Sequence, residues 1–114
     1  MTDETVRVHP WEVWWAQLSP QVGREQAGER PVIVVGSMVA CALPNEMALL
    51  VPCTTTGRGL AFQPPVTLAG RPGYAMCEQI KALSVRRLVR RHRQGLLDTE
   101  ERPAVRRALR QMLV

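Results

Sequence analysis

The sequence predicts a β-rich α+β domain, a run of short strands followed by one α-helix at the C-terminal end. Three observations predict it. Short apolar runs, separated by stretches that contain Gly, Pro, Asn or Ser, recur at Trp11–Leu18, Val32–Val35, Met47–Thr54 and Tyr74–Ile80. Val105, Ala108, Leu109, Met112 and Leu113 recur at helical spacing and make one apolar stripe. The length of 114 residues suits a single domain, 1–114, with one modest core, and no repeat or low-complexity tract divides it.

Residues 1–10 are polar and read as a loosely ordered lead-in. In the first strand, Trp11, Val13 and Trp15 alternate with Glu12, Trp14, Ala16 and Leu18, so both faces are largely apolar and both are expected to be covered. Core packing accounts for at least two of the three tryptophans; the third is free to stack on a base. Ser19-Pro20 ends the strand, and residues 19–29 form a loop with Gly23 and Gly28, long enough to suggest a functional lid. Arg30-Pro31 then feeds the Val32–Val35 run. Proline fixes its own φ and pushes Arg30 toward an extended backbone, so a guanidinium stands at the mouth of a core strand.

An irregular link through Pro44-Asn45 leads to the third strand, Met47–Thr54, which ends in the hydroxyl cluster Thr54, Thr55 and Thr56. Gly57 and Gly59 flank Arg58 in the next turn. Pro64 and Pro65 make Phe62–Leu68 at most an edge strand. Tyr74–Ile80 is a short strand carrying Glu78 and Gln79. The basic stretch Lys81–Arg93 fits a helical turn followed by a strand, and Gly95 is expected to break it. Asp98 or Thr99 then caps the last helix, with Asp98 and Glu101 spaced as a capping box and Pro103 tolerated in the first turn.

Fourteen arginines and one lysine against ten acids give a formal charge of +5. Arginine offers a rigid fork of donors suited to phosphate, which favours a nucleic-acid partner over mere solubility. Cys41, Cys53 and Cys77 are odd in number and form no Cys-x-x-Cys pair, so no metal site is expected; they read as reduced, buried small hydrophobes of a cytoplasmic protein. The N-terminus has no apolar segment of a signal peptide, and no stretch is long enough to span a bilayer.

Arg30, Thr54 and Glu78 sit at strand ends and form the candidate catalytic set. Glu25-Gln26 and Glu78-Gln79 add two acid–amide pairs. No order of Ser, His and Asp suggests a triad; His9 lies in an unpromising context, and His92 reads as a solvated member of the basic run. Arg24, Arg58, Arg86, Arg87 and the arginines at 90, 91 and 93 are able to track phosphates, and a solvated face explains that run equally well.

Four blocks carry a resemblance. VWWAQLSPQVGREQAGERPVIVV resembles the opening signature of the MazF/PemK/Kid toxins, the mRNA interferases. VPCTTTGRG resembles their second block, CEQIKALSVRRL their third, and LDTEERPAVRRAL, more weakly, their fourth. The blocks occur in the family's order and cover the chain from about Trp11. The resemblance implies a strongly curved antiparallel sheet, close to a small SH3-like barrel, with a C-terminal helix. It implies a homodimeric, cofactor-free and metal-independent endoribonuclease that cuts single-stranded RNA at short motifs, leaving 2′,3′-cyclic phosphate and 5′-hydroxyl ends. It also implies an antitoxin whose disordered tail fills the RNA groove.

By position, the family's catalytic arginine falls on Arg30 and its threonine on Thr54. One branch uses an acid where Glu78 stands, a histidine where Arg24 stands and an arginine where this chain has Met76. The RNA-binding set expected with them is Arg24, Glu25, Gln26, Thr55, Arg58, Gln79, Arg86 and Arg87. Two rival readings remain. One is a same-fold inhibitor of DNA gyrase, like the CcdB toxins, although the C-terminal Trp-Gly-Ile of those is here Gln-Met-Leu-Val. The other is a catalytically silent RNA-binding protein, which the Met76 departure supports.

Overall fold

A computed structural model describes residues 6–18, 28–57 and 59–114. Seven strands and two helices make it up: β1 (Glu12–Gln17), β2 (Glu29–Val34), α1 (Met38–Ala42), β3 (Met47–Thr54), β4 (Pro65–Leu68), β5 (Arg71–Ala75), β6 (Lys81–Ser84), β7 (Leu88–Leu96) and α2 (Arg102–Met112). All pairings are antiparallel, in the order β4-β5-β3-β2-β1-β7. The long β3 serves two neighbours along its second edge. Its first half pairs with β6, Leu50 opposite Lys81, and its last residues pair with β5, Thr54 opposite Tyr74. Serving two partners in sequence curls the sheet into a half-barrel.

Alternation along β1, β2 and β3 sends residues to two separate cores. Val13, Ile33 and Val51 point to one, with Val66, Leu97 and the Val105 and Ala108 stripe of α2. Trp14, Val32, Val34 and Leu50 point to the other, closed by Val8 ahead of β1 and by Val85 and Leu88. The apolar character of both faces of β1 thus has its cause: Val13 and Ala16 are buried on opposite sides of one strand.

Several expectations need correction. The strand expected over Tyr74–Ile80 ends at Ala75, because the Met76 amide bonds the Pro52 carbonyl (2.9 Å) and the chain then coils into a 3-10 turn, Cys77–Gln79. The link after Val35 is not wholly irregular: Ser37 caps α1 by accepting the Ala40 amide at 3.2 Å. Gly95 does not end β7; it takes φ +76° inside the irregular stretch where the register against β1 shifts, and pairing resumes at Leu96 opposite Glu12. Neither Asp98 nor Thr99 caps α2. Asp98 to Glu101 form a turn of their own (Glu101 amide to Asp98 carbonyl, 3.0 Å), so the helix starts later. The Glu101 carboxylate instead accepts the Thr67 amide at 2.9 Å and ties the helix to β4.

Candidate active site

Arg30 and Thr54 lie at the same end of the paired strands β2 and β3. In the β2–β3 ladder Val32 faces Pro52, Ile33 faces Val51 and Val34 faces Leu50. Arg30 lies two residues before Val32 on β2 and Thr54 two residues after Pro52 on β3, so both fall at the same end of this ladder, just beyond its last pair. The two strands therefore deliver an arginine and a threonine to the same end of the sheet. Both line a cavity of about 340 Å3, which Thr55 also enters. Thr54 is oriented by its neighbours: its Oγ1 lies 3.0 Å from Thr56 Oγ1 and accepts the Thr56 amide at 3.2 Å. Gly73 makes room behind it, since a Cβ there would come within 2.6 Å of the Thr54 carbonyl oxygen.

The rest of the lining gives the cavity its character. Arg71, from the start of β5, and Arg93, from β7, join Arg30 there. Among the described residues neither Arg71 nor Arg93 has a carboxylate partner, whereas the lining's carboxylate, Glu29, is held by Arg90 at 2.6 Å. The net field in the cavity is positive and suits an anion. Trp15 and His92 also line it. Their rings stack with centroids 5.1 Å apart and planes at 26°, and the Arg90 guanidinium carbon lies 5.1 Å from the Trp15 ring centroid. His92 Nδ1 accepts the Gln94 amide at 3.0 Å. Burial, helped by the charges of Arg93 and Arg90, lowers the His92 pKa, so the ring is neutral at neutral pH with its proton on Nε2. Cys53 touches the cavity, but burial drives its thiol far up, and burial pushes Cys77 to about 12. Both stay protonated and are not nucleophiles.

The other expected residues lie elsewhere. Glu78 is exposed on the 3-10 turn, outside the cavity lining, and its Oε2 accepts from Gln63 Nε2 at 2.7 Å. Gln79 follows it in the same turn, half-buried. Met76, where the family pattern carries an arginine, is 8% exposed and packed. Arg86 and Arg87 sit on the turn between β6 and β7, with Arg87 Nη1 reaching the Gln17 carbonyl at 3.4 Å. Arg91 is tied to buried Glu12 at 2.9 Å and lies over Trp14. Of the basic run's arginines, then, only Arg93 joins the cavity. Arg24, Glu25, Gln26 and Arg58, with the lid expected over 19–29, lie mainly or wholly outside the described residues.

Sequence reasoning missed Arg71 and misread His92. Arg71 follows a hairpin turn, and nothing local shows that β5 will pair with the end of β3. His92 looks solvated in the sequence because its neighbours are arginines; its partner, Trp15, is on another strand.

A family model of PemK-like, MazF-like toxins of type II toxin–antitoxin systems matches residues 9–113. The chain belongs to that family. It is 35% identical over 72 residues to the endoribonuclease toxin MazF of Escherichia coli strain K12, a match covering 63% of this chain and 64% of the relative, less than two thirds of the latter's length. The fold is similar to that of MazF from Deinococcus radiodurans (TM-score 0.78, 21% identity, 94% of this chain and 96% of that one). It is also similar to a mycobacterial endoribonuclease solved in complex with its cognate antitoxin (TM-score 0.73, 17% identity, 92% and 93%). At these identities the structural likeness speaks for the fold: a curled antiparallel half-barrel with a C-terminal helix, as the four sequence blocks imply.

Within this PemK/MazF-like chain no helix among the described residues is long and apolar enough to cross a membrane.

Proposed function

We propose that this chain is an endoribonuclease toxin that cuts single-stranded RNA in the Arg30–Thr54 cavity, at a short sequence motif and without a metal ion. The observation that carries the reading is that Arg30 and Thr54 line one cavity whose charge favours a phosphate, in a chain of this family. The relative from E. coli bears the name endoribonuclease, which supports the same reaction class.

The reaction is internal transfer. The 2′-oxygen attacks phosphorus, the 2′-O–P bond forms, the P–O5′ bond breaks, and the 2′-hydroxyl proton is released as the leaving 5′-oxygen gains one. The products are a 2′,3′-cyclic phosphate and a 5′-hydroxyl. DNA lacks the nucleophile and is not cut. Arg30 supplies fixed charge and paired N–H donors where charge develops on the phosphorane oxygens. Losing one such donor costs about 100- to 1,000-fold in comparable sites. Thr54 Oγ1 donates to a non-bridging oxygen and holds the phosphate in line. Glu78 is bound to Gln63 away from the lining, so the leading roles fall to Arg30 and Thr54 and a carboxylate proton acceptor is a secondary assignment.

Purified protein is expected to cut a mixed RNA pool in EDTA, with cyclic-phosphate ends at the cleavage sites. Arg30→Ala is expected to lose at least about 100-fold in rate with its melting temperature unchanged. Equal rates for the variant and wild type would remove Arg30 from the mechanism.

The reading extends to a cytoplasmic homodimer and to an antitoxin whose acidic, disordered tail folds into the same cavity; the mycobacterial endoribonuclease, solved with its cognate antitoxin, supports such a partner by analogy. Sedimentation and inhibition of cleavage by that tail test both points.

A further inference from the structure

We propose that His92, held against Trp15, is a stacking platform for the nucleobase next to the scissile phosphate, and that it helps set which sequence is cut. The inference rests on the endoribonuclease reading and deepens it.

The position of the ring and the state of its nitrogens point the same way. His92 lines the same cavity as Arg30 and Thr54, is half-buried, and is fixed on two sides. Trp15 stacks against it at 5.1 Å, and the Gln94 amide donates to its Nδ1 at 3.0 Å. With Nδ1 occupied as an acceptor, the neutral ring carries its proton on Nε2 and has no lone pair left to take a proton from a 2′-hydroxyl. A histidine so held is a poor base and a good flat surface. Stacking on an aromatic ring is how single-stranded nucleic acid is commonly gripped, because every base has a π-face. The phosphates beside that base have Arg71 and Arg93 in the same lining to receive them. Glu29, the lining's carboxylate, is neutralised by Arg90, which also packs on Trp15. One base and its phosphate therefore have complementary partners within a single cavity.

The test uses the full chain with its mapped cut motif made non-cleavable by a 2′-deoxy sugar at the cut position. His92→Ala is expected to weaken binding roughly 5- to 150-fold, the range for one lost base stack, and to relax the motif at one flanking position. His92→Phe is expected to recover most of both, since the plane is restored without the nitrogens. The chain has two histidines, so proton NMR reads the contact directly: on adding the oligonucleotide, the His92 ring C–H signals move upfield by ring current while those of His9 stay. Two results would overturn the platform: an unshifted His92 signal with an unchanged motif in His92→Ala, or His92→Phe as inactive as His92→Ala with one limb of the pH–rate profile gone, which would make the ring a proton carrier. Failure of wild type to cut any RNA would instead sink the parent reading; the NMR measurement, repeated with a random single-stranded hexamer pool, then decides on the platform alone.

Discussion

Glu12 shows how much a single residue can carry without betraying it in the local pattern. Its carboxylate is buried, yet it accepts from Trp14 Nε1 (3.0 Å), from the His9 amide (3.1 Å) and from Arg91 (2.9 Å). Burial alone would raise its pKa; the bonds from Arg91, Trp14 and His9 together outweigh that and hold it below the ordinary carboxylate value. A group with a depressed folded pKa stabilises the fold above its unfolded pKa and loses that contribution as pH falls through the folded value. Glu12→Ala strands a buried indole N–H and is expected to cost about 1–3 kcal/mol in denaturant unfolding at neutral pH. The gap between wild type and variant should close as the pH drops below about 4; a gap that persists into acid would mean packing, not charge, is responsible. In the sequence Glu12 is just one polar residue in an apolar strand. Arg30 and Thr54 are legible by contrast, because each terminates an apolar run and the family-like blocks align them with family positions. Arg71 and His92 are not, since their meaning comes from cross-strand neighbours.

At the level of elements, the strands are legible in the sequence and their junctions are not. Met47–Thr54 can be read to the residue, because one apolar run fills it. The boundary between β5 and the following 3-10 turn escapes, because the Met76 amide finds its partner on β3 rather than within its own segment. The start of α2 escapes for a similar reason: Glu101 caps nothing in its own helix and spends its carboxylate on Thr67. Element contacts also position the site. β5 presses its Gly73 against the last residue of β3, so Gly73→Ala would bring a Cβ to 2.6 Å from the Thr54 carbonyl, a backbone atom with no rotamer to change. The strands must then part where Thr54 sits. The variant is expected to lose about 1–3 kcal/mol of stability and, beyond that, activity at temperatures where it remains folded. A Gly73→Ala protein with wild-type turnover would show that the β3–β5 spacing is irrelevant to the site.

For the molecule as a whole, the charge of +5 is not spread evenly in its roles. Arg90 and Arg91 are engaged with Glu29 and Glu12, and Arg102 and Arg106 lie over Trp11, where they brace α2 against the start of β1. Arg30, Arg71 and Arg93 share the cavity. Composition alone points to an anionic partner and cannot divide the arginines between bracing and binding, because that division depends on which of them the fold has already paired. It can be measured through salt. A single-stranded nucleic acid releases counterions in proportion to the phosphates neutralised, with a slope of log affinity against log salt of about −0.7 per contact. Arg71→Ala with Arg93→Ala is expected to flatten the slope by about 1.4, the value for two lost contacts. Arg102→Ala with Arg106→Ala removes the same charge and is expected to leave the slope nearly unchanged while lowering stability. Equal flattening by both pairs would mean that RNA is drawn by net charge rather than by the cavity. Loss of slope only in the α2 pair would move the RNA track to the helix and away from Arg30.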